Sequence, residues 1–412
     1  MSSSHNKSSA LSLLPLLMVI LIDVAGIVLI MPVLAPLILQ SNSGLVSPQM
    51  SIFLRDCLYG LSMALFPLFM FFSTPILGDL SDKFGRKRLL MICLGMAALG
   101  NLLSALGIIL HNLLLFLVSR AVAGLAAGTQ PIATAAVIDL ATPQNKTKYL
   151  AWVVLTCSLG VILGPLLGGI TAEHHLVSWF SYDTPFLFTT GLACLNAALL
   201  YVTLPATPPQ QAHQAIQLTK GFRLFLTAFK EKRFALLSML YLCFLLAWSL
   251  YYQTINWFFM ATYHYSVLKL GLFTAFIGVM FAMASTFMKR ILSLFKTENH
   301  TFRFSVCIMA IANFAAAVSH NEISQWLWVI LNAGSDAVCY TVALAIYSSL
   351  VSHDSQGWIM GVTGAIMAVS WAIGGLITGP LGYISVVAPF WTAGVLCLVS
   401  FALMMGYMRG RP

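Results

Sequence analysis

The sequence predicts an all-α membrane protein with twelve transmembrane helices and both termini in the cytoplasm. Of its 412 residues, 59% are hydrophobic and only 8% are charged, and the mean hydropathy is +0.90. A soluble domain needs many more charges on its surface. A helix needs about 20 mostly apolar residues to cross the hydrocarbon, and the chain contains twelve such runs. These runs lack the alternation of barrel strands, so helices are predicted to satisfy the backbone in lipid.

The predicted helices fall into two groups of six around a polar segment. The first six are predicted at 12–38, 52–76, 89–109, 114–138, 149–171 and 185–204. The second six are predicted at 235–260, 268–288, 302–319, 325–349, 358–381 and 386–408. A cleavable signal peptide is not predicted, because the first run is too long and contains Asp23, Pro32 and Pro36.

The basic residues predict the orientation. With both termini inside, all but three of the 21 Lys and Arg residues fall on the cytoplasmic side, and the exceptions are Arg55, Arg120 and Lys269. Positive charge marks the cytoplasmic loops of membrane proteins. The net charge of +9 is therefore expected to contact anionic headgroups of the lipid bilayer, and no nucleic-acid partner is predicted.

The polar segment divides the chain into three predicted parts. Residues 1–204 are predicted to form an N-terminal six-helix bundle, 205–234 a cytoplasmic linker, and 235–412 a C-terminal six-helix bundle. The linker begins with a Pro- and Gln-rich stretch that cannot continue a helix, and it then shows the spacing of a basic amphipathic helix on the membrane surface. A Gly-Pro pair at 164/165 recurs at 379/380, which indicates that the two bundles are degenerate parallel repeats.

A charged segment, GDLSDKFGRKRLL at residues 78–90, lies between the second and third predicted helices. Its two glycines are expected to permit a tight turn, with Asp82 at a helix N-terminus. Arg86 is expected to reach a carboxylate at a neighbouring helix end, for which Asp139 is the candidate. The alternative is a solvated loop that obeys the positive-inside rule. The gating residues predicted here are Gly78, Asp79, Asp82, Gly85, Arg86, Lys87 and Asp139.

Three further motifs lie in the first half of the chain. The first helix reads DVAGIVLIMPVL from Asp23, and the fourth reads LVSRAVAGLAAG around Arg120. In the fifth helix, glycines at i, i+4 and i+8 share one face and allow another helix to approach closely, while a proline is expected to kink the helix. Ordinary packing of membrane helices is the alternative interpretation. The residues of this fifth-helix motif are Gly160, Gly164, Pro165, Gly168 and Gly169.

Together these motifs resemble the signatures of the major facilitator superfamily and, within it, of the twelve-helix drug/proton antiporter family. The first half is most similar to the tetracycline/proton antiporter branch, in DVAGIVLIMPVL and in VID at 137–139. The motifs cover about residues 20–170. The resemblance implies the major facilitator fold with two pseudo-symmetric six-helix bundles, a gate at the charged segment, and a fifth helix that seals the cavity against proton leak. It also implies a cavity lined by helices 1, 4, 7 and 10.

Three ionisable residues are predicted at membrane depth, namely Asp23, Arg120 and Asp336. Such residues are costly in lipid and usually face the bundle interior. Asp23 is expected to carry the proton, and Arg120 is suited to be its cationic partner; a static salt bridge between the two is the alternative. The remaining acids, including Asp56 and Glu173, are expected to be solvated.

The candidate substrate cavity lies in the second half of the chain. Asn332, Asp336 and Tyr340 share one face of the tenth helix at helical spacing. Asp336 is expected to act as a second proton carrier, as a counter-charge for a cationic substrate, or as a partner of Arg120. On the seventh helix, Tyr252 and Asn256 are candidate substrate contacts, although aromatic residues there also fit an interfacial belt.

The sequence thus predicts a secondary active transporter that exports small amphipathic compounds in exchange for protons, by alternating access, across the bacterial inner membrane. No nucleotide-binding P-loop is present, so any pumping must use an ion gradient. The eight cysteines form no CxxC pair, and no metal site, cofactor or catalytic residue is predicted. The alternatives are an exporter of an endogenous metabolite, such as a siderophore or an organic acid, a non-transporting receptor, and a membrane enzyme. A monomer is expected.

Overall fold

The computed structural model describes residues 2–40, 43–142, 145–205, 219–295, 297–352 and 355–409. Within these ranges the chain forms sixteen α-helices, and twelve spans are long and apolar enough to cross a membrane, as the sequence predicts. Residues 206–218 of the predicted linker lie outside the described residues. The helices are α1 (Ser2–Leu29), α2 (Met31–Leu39), α3 (Ile52–Phe84), α4 (Arg86–Ile109), α5 (Leu113–Leu125), α6 (Thr129–Asp139), α7 (Lys146–Thr171), α8 (Thr184–Thr203), α9 (Lys220–Lys230), α10 (Lys232–Tyr263), α11 (Val267–Thr286), α12 (Met288–Leu292), α13 (Glu298–Val318), α14 (Glu322–Ser349), α15 (Gln356–Ile384) and α16 (Ala388–Arg409).

Two of the spans are interrupted, which the sequence analysis did not predict. The first span consists of α1 and α2 with a break at Ile30, and Pro32 falls in the first turn of α2. A proline costs no hydrogen bond in the first turn of a helix, because the backbone N–H groups there have no partner within the helix. The fourth span consists of α5 and α6, which are separated by a turn at residues 126–128.

The second span is longer than predicted, and this corrects the expectation of a tight turn at Gly78. Helix α3 continues to Phe84, so Gly78 lies within it. Gly85 alone separates α3 from α4, and its φ of 90° lies in a region that favours glycine. Asp82 consequently lies in the last turn of α3 and not at a helix N-terminus as expected.

The helices pack into two compact units that are discontinuous in sequence. Unit 1 comprises Met1–Pro48, Phe72–Lys220 and Ser266–Ala275, and unit 2 comprises Gln49–Phe71, Gly221–Tyr265 and Phe276–Pro412. The first part of α3 belongs to unit 2 because it packs on α15, and the first part of α11 belongs to unit 1 because it packs on α7. The domain boundaries at residues 204 and 235 stay a prediction.

Glycines bring α7 against α1 within unit 1. A Cβ atom added to Gly164 would lie 2.5 Å from the carbonyl oxygen of Ala25, and one added to Gly168 would lie 2.3 Å from that of Leu29. Gly160 contacts the same helix one turn earlier. The three glycines therefore form the single close-packed face that their spacing predicts.

Glycines serve the same purpose in unit 2, where α15 lies against the first part of α3. A Cβ atom added to Gly375 would lie 2.7 Å from the backbone nitrogen of Ala64, and one added to Gly379 would lie 2.3 Å from the carbonyl oxygen of Asp56. Gly164 and Gly379, which precede the two repeated prolines, thus both lie at helix contacts that admit no side chain. Asp56 is buried at this contact, contrary to the expectation of a solvated acid.

Helix α9 is the amphipathic helix predicted in the linker. Leu224 and Phe225 on one face pack against Phe71 and Ala365 of unit 2. Phe222 on the other face is 52% exposed. This face presents basic and apolar side chains together, as in helices that lie at a membrane surface.

The α1–α7 contact leads to a stability prediction. We expect Gly168→Ala to destabilise the protein by about 1–3 kcal/mol, because the added methyl group overlaps the Leu29 carbonyl and the two helices must separate. The measurement is the midpoint of thermal unfolding of the purified protein. Gly191→Ala in α8 is the matched control, since a Cβ atom there would meet nothing within 4 Å. Equal unfolding midpoints for the two variants would contradict the close-packing interpretation.

Candidate functional site

Arg86 is the centre of an ion-pair cluster at one end of unit 1. As the first residue of α4, it forms an ion pair with Asp82, at 3.1 Å, and another with Asp139, the last residue of α6. Its guanidinium group also donates a hydrogen bond to the Ser81 hydroxyl, at 3.3 Å. The predicted contact between Arg86 and Asp139 is confirmed, and it joins the ends of three helices.

The C-terminal ends of two helices favour a cation at this point and oppose the unfavourable N-terminal end of α4, which Arg86 begins. The C-terminal ends of α3 and α6 both meet Arg86, and the unpaired carbonyl groups at a helix C-terminus stabilise positive charge. Asp82 and Asp139, in contrast, are acids at C-terminal ends, where a negative charge is unfavourable. Their pairing with Arg86 removes this cost, so loss of the arginine would leave two repelling acids.

Two further contacts connect the charged segment to its surroundings. Asp79 forms an ion pair of 2.5 Å with Lys220, the first residue of α9. Lys87 donates a hydrogen bond of 2.7 Å to the carbonyl oxygen of Tyr201 and lies 5.2 Å from the centre of its ring. The sequence analysis missed the role of Lys220, because no local pattern tells which of many basic residues will meet an acid.

Asp23 lies on α1 facing the start of α6. Its carboxyl group lies near the Thr129 side chain and the backbone of Gln130. The Oδ2 atom of Asp23 is buried and has no hydrogen-bond partner among the described residues. The thiols of Cys93 in α4 and Cys157 in α7 are also in its neighbourhood. These neighbours place a carboxyl group near the point where the fourth span is interrupted.

The ion pairs of the described residues do not include the expected pairing of Asp23 with Arg120, so that pairing stays a prediction. Arg120 is buried on α5, whereas Thr129 and Gln130, which lie near the Asp23 carboxyl group, are the first residues of α6. The turn at residues 126–128 lies between Arg120 and Thr129. The spacing along the sequence does not show which of these residues lies near Asp23, because its neighbours depend on the level at which α1 meets the fourth span.

Helix α7 carries the fifth-helix motif next to Asp23. A Cβ atom added to Gly160 would lie 2.8 Å from Val24, the neighbour of Asp23 in sequence. Gly169 points to a different partner, Gly271 of α11, at 2.9 Å. The helix continues through Pro165. The motif therefore packs two helices within unit 1, α1 on one face and α11 on the other.

Glu173, which follows α7, is buried and not solvated as expected. Its Oε2 atom accepts a hydrogen bond of 3.2 Å from the backbone N–H of Leu268, in the first turn of α11. Burial, together with the nearby Glu173 carboxylate, raises the pKa of the Tyr182 hydroxyl. Glu173 thus stabilises a helix start at which positive partial charge accumulates.

Polar residues of α14 are buried in unit 2. Asp336 is 3% exposed and Asn332 is fully buried, as their common helix face predicts, whereas Tyr340 is partly buried. Tyr241 of α10 and Cys397 of α16 are in the neighbourhood of Asp336. Its Oδ1 atom and both amide atoms of Asn332 have no hydrogen-bond partner among the described residues. An unsatisfied buried polar group costs about 1–3 kcal/mol, so these atoms are available to a polar ligand.

Tyr252 and Asn256 of α10 are both buried. The ring of Tyr252 lies 5.6 Å from each of two tryptophan rings, those of Trp248 and Trp371, and its hydroxyl has no hydrogen-bond partner among the described residues. This aromatic group lies inside unit 2, which argues against the interfacial-belt alternative for Tyr252.

Two further residues of this region make buried hydrogen bonds. Gln253 donates hydrogen bonds to the Ser249 hydroxyl, at 2.6 Å, and to the carbonyl oxygen of Trp371, at 3.1 Å. Tyr59 of α3 donates a hydrogen bond of 2.5 Å to the carbonyl oxygen of Gln253. Each of these two residues places a polar group within an apolar stretch of sequence, and this pattern is a signal for a candidate site residue.

Comparisons with known proteins agree with the fold and the motifs. The model of the Major Facilitator Superfamily matches residues 16–331. The class H tetracycline resistance protein of Pasteurella multocida is 31% identical over 207 residues, which cover 50% of this chain and 46% of that protein, so the match spans about half of the relative. The quinolone resistance protein NorA of Staphylococcus aureus strain MRSA252 is 26% identical over 377 residues, covering 85% of this chain and 88% of that protein. The crystal structure of the human organic anion transporter MFSD10 (TETRAN) has the same fold, with a TM-score of 0.66, 20% identity, and coverage of 96% of this chain and 99% of that one.

The ion-pair cluster leads to a second prediction. We expect Arg86→Ala to lower the unfolding midpoint, because Asp82 and Asp139 then repel each other and the two helix C-termini lose a cation. Asp139→Asn should cost about 1 kcal/mol in the wild type and should stabilise the Arg86→Ala background, where it removes the repulsion between the two acids. The measurement is a double-mutant cycle of unfolding free energies. Lys83→Ala, at an exposed residue beside the cluster, is the control and should leave the midpoint unchanged; additive effects of Arg86→Ala and Asp139→Asn would refute their coupling.

Proposed function

Since the chain belongs to the Major Facilitator Superfamily and its fold is that of a transporter with twelve membrane spans, we propose that it exports small amphipathic compounds in exchange for protons. The cycle is alternating access, and the site of action is the inner membrane of a bacterium, where the protein works as a monomer. The partners are the substrate, protons and the lipid bilayer, without a nucleic acid and without a cofactor.

The environment of Asp23 is the observation that carries this proposal. Insertion of a charged carboxyl group at the bilayer centre costs ~2.5–3.5 kcal/mol. Residues that occur in a membrane span at this cost are by default functional candidates. The Oδ2 atom of Asp23 is buried without a hydrogen-bond partner among the described residues, and the polar groups of Thr129 and Gln130 lie nearby. Arg120 stays the candidate cation for a later step of the cycle.

The energy of one proton is sufficient for useful export. A charge that moves through 100 mV releases ~2.3 kcal/mol. At ~1.4 kcal/mol per factor of ten, this supports about a fiftyfold gradient of an uncharged substrate. One titrating carboxyl group is therefore enough for the proposed activity.

Unit 2 supplies the proposed substrate contacts. Tyr252, between two tryptophan rings, offers an aromatic surface with an unsatisfied hydroxyl, and Asn256, Asn332 and Asp336 add polar groups. Such a mixture suits a flat ligand that has apolar faces and polar groups at its edge. Resistance to tetracycline and to quinolones, in the names of the relatives, supports a substrate of this kind.

The two remaining residue sets have proposed supporting roles. The Arg86 cluster closes the cytoplasmic gate when its ion pairs form. The glycine face of α7 excludes water beside Asp23 because no side chain separates α7 from α1, and this limits proton leak. The gate also includes the other residues of the charged segment that the sequence predicted, namely Gly78, Asp79, Gly85 and Lys87.

An exporter of an organic acid is the second candidate function. The observation that favours it is the likeness to a structure named as that of an organic anion transporter. A buried cation, Arg120, suits an anionic substrate. A receptor or a membrane enzyme would bind or convert a compound without moving protons, so proton flux distinguishes these classes.

The proton-carrier role leads to a third prediction. In inside-out vesicles with an imposed pH gradient, we expect Asp23→Asn to abolish gradient-driven uptake of tetracycline or norfloxacin, because an amide cannot release a proton. The measurements are substrate uptake and loss of the pH gradient. Asp183→Asn, at the start of α8, is the control and should transport like the wild type. Full gradient-driven uptake by Asp23→Asn would eliminate the proposed role.

The charge of the substrate site leads to a fourth prediction. We expect Asp336→Asn to weaken transport of a cationic probe, tetraphenylphosphonium, far more than that of a neutral dye, because a carboxylate in a medium of low dielectric constant attracts cations strongly. Proton-driven exchange of the neutral dye should persist. The two probes are compared in the same vesicles at a fixed pH gradient. Equal losses for both, together with lost proton flux, would make Asp336 a coupling residue instead.

A further inference from the structure

Gln253 joins three helices of unit 2 by hydrogen bonds. It lies in α10 and is 1% exposed. Its side-chain nitrogen donates to the Ser249 hydroxyl, at 2.6 Å, and to the carbonyl oxygen of Trp371 in α15, at 3.1 Å. Its backbone carbonyl oxygen accepts a hydrogen bond of 2.5 Å from the Tyr59 hydroxyl of α3. One buried residue therefore connects α3, α10 and α15.

The contact with Trp371 determines the orientation of the Gln253 amide group. A backbone carbonyl oxygen can only accept a hydrogen bond, so the amide must turn its nitrogen to Trp371. Rotation of the amide about its terminal bond would bring the side-chain oxygen against that carbonyl oxygen, and two acceptors repel each other. Both N–H groups are engaged, one with Ser249 and one with Trp371. The amide is therefore a directional link between α10 and α15.

Glycine allows α15 to come close enough for this link. Gly374 lies one turn after Trp371, and a Cβ atom added to it would lie 2.2 Å from the Ser249 hydroxyl oxygen and 3.5 Å from the Gln253 side-chain nitrogen. A Cβ atom added to Gly382, further along α15, would lie 2.0 Å from the Trp257 ring of α10. The backbone of α15 thus touches the side chains of α10 at two levels, with no side chain of α15 between them.

Trp371 is the residue that this link places beside Tyr252. The ring of Trp371 is partly buried, and its centre lies 5.6 Å from that of the Tyr252 ring. Aromatic pairs prefer ring centres about 4.5–7 Å apart, so a small shift of α15 changes this contact. Gln253 follows Tyr252 in α10, and neighbouring residues of a helix do not face each other. Gln253 therefore acts on the aromatic surface through the backbone of Trp371, from which the ring extends.

We propose that Gln253 is a positioning residue that holds Trp371 at the distance from Tyr252 at which the two rings bind a flat substrate. The inference rests on the proposed function, which makes Tyr252 a substrate contact, and it adds Trp371 to that contact surface. The hydrogen bonds of Gln253 form without the substrate, so the substrate meets a preorganised surface and fewer groups must be ordered on binding. Without these bonds, α15 can move relative to α10, and the affinity for the substrate falls.

The first test is transport by Gln253→Met, which keeps the length of the side chain and removes its hydrogen-bond donors. In inside-out vesicles, we expect the KM for norfloxacin and for tetracycline to rise about threefold to tenfold while kcat changes less than about twofold, as for loss of a hydrogen bond that supports substrate and transition state equally. In the Trp371→Leu background, Gln253→Met should raise KM no further, because the ring that it positions is absent. An unchanged KM, or additive effects in this double-mutant cycle, would overturn the proposal.

Gln325→Met is the matched control. Gln325 of α14 is fully buried, and its side-chain nitrogen also donates to two acceptors, the carbonyl oxygens of Ala316 at 2.8 Å and of Ser319 at 3.0 Å. The substitution removes the same chemistry from unit 2, and these hydrogen bonds do not involve α15. We expect it to lower the unfolding midpoint, as Gln253→Met does, and to leave KM unchanged. An equal rise in KM would make general destabilisation the cause and would overturn the proposal.

A second measurement detects the position of Trp371 without a substrate. In the full chain labelled with 5-fluorotryptophan in lipid nanodiscs, the fluorine resonance of Trp371 is the one that Trp371→Leu removes. Gln253→Met should shift or broaden this resonance, and Gln325→Met should leave it as in the wild type. An unchanged resonance in Gln253→Met would overturn the proposal. If Gln253→Met does not fold, Gln253→Glu serves in its place with the same expected changes, since a protonated carboxyl group has one donor for two acceptors.

The two measurements separate this inference from the proposed function. If Gln253→Met alters the Trp371 resonance but wild-type vesicles move neither norfloxacin nor tetracycline in response to a pH gradient, the proposed function is wrong and the positioning of Trp371 by Gln253 stands. If wild-type transport is coupled to protons and Gln253→Met changes neither KM nor the resonance, the role of Gln253 is wrong and the proposed function stands.

Discussion

A helix that ends inside the hydrocarbon must obtain partners for its free backbone groups from the chain itself, because no water is available there. The fourth span meets this constraint at the turn between α5 and α6. The N–H groups of Ala127 and Thr129 donate to the carbonyl oxygens of Gly124 and Ala126, at 3.2 and 3.3 Å, and Pro131 has no N–H group to satisfy. The carboxyl group of Asp23 lies near the backbone of Gln130 in the same turn.

The ends of other helices follow the same electrostatic rule. Glu173 accepts from the first turn of α11, so an acid again lies at a helix start. Arg86, a cation, lies where α3 and α6 end, and its two ion pairs cancel the unfavourable placement of Asp82 and Asp139. Glu173 at the start of α11 and Arg86 at the ends of α3 and α6 thus each meet a helix partial charge of the opposite sign.

Close packing of the helices fixes the level at which they meet. Gly164 and Gly168 allow α7 to touch the backbone of α1, and this contact lies next to the turn that carries Asp23. Gly375 and Gly379 do the same for α15 and the first part of α3 in unit 2. Since no side chain can be inserted, these contacts fix the level at which the two helices meet.

The sequence alone determined the twelve spans, the basic amphipathic helix, the glycine face of α7 and the pairing of Arg86 with Asp139. Each follows from a local pattern, because hydropathy, helical spacing and charge at helix ends act over short stretches of chain. Only the tertiary structure decided that Asp23 lies near Thr129 and Gln130 at the start of α6, and that Lys220 meets Asp79. It also decided that α3 continues past Gly78, since a glycine permits a turn without requiring one. These outcomes depend on the level at which two helices meet, which is fixed by contacts between distant residues, and no periodicity along one helix contains that information.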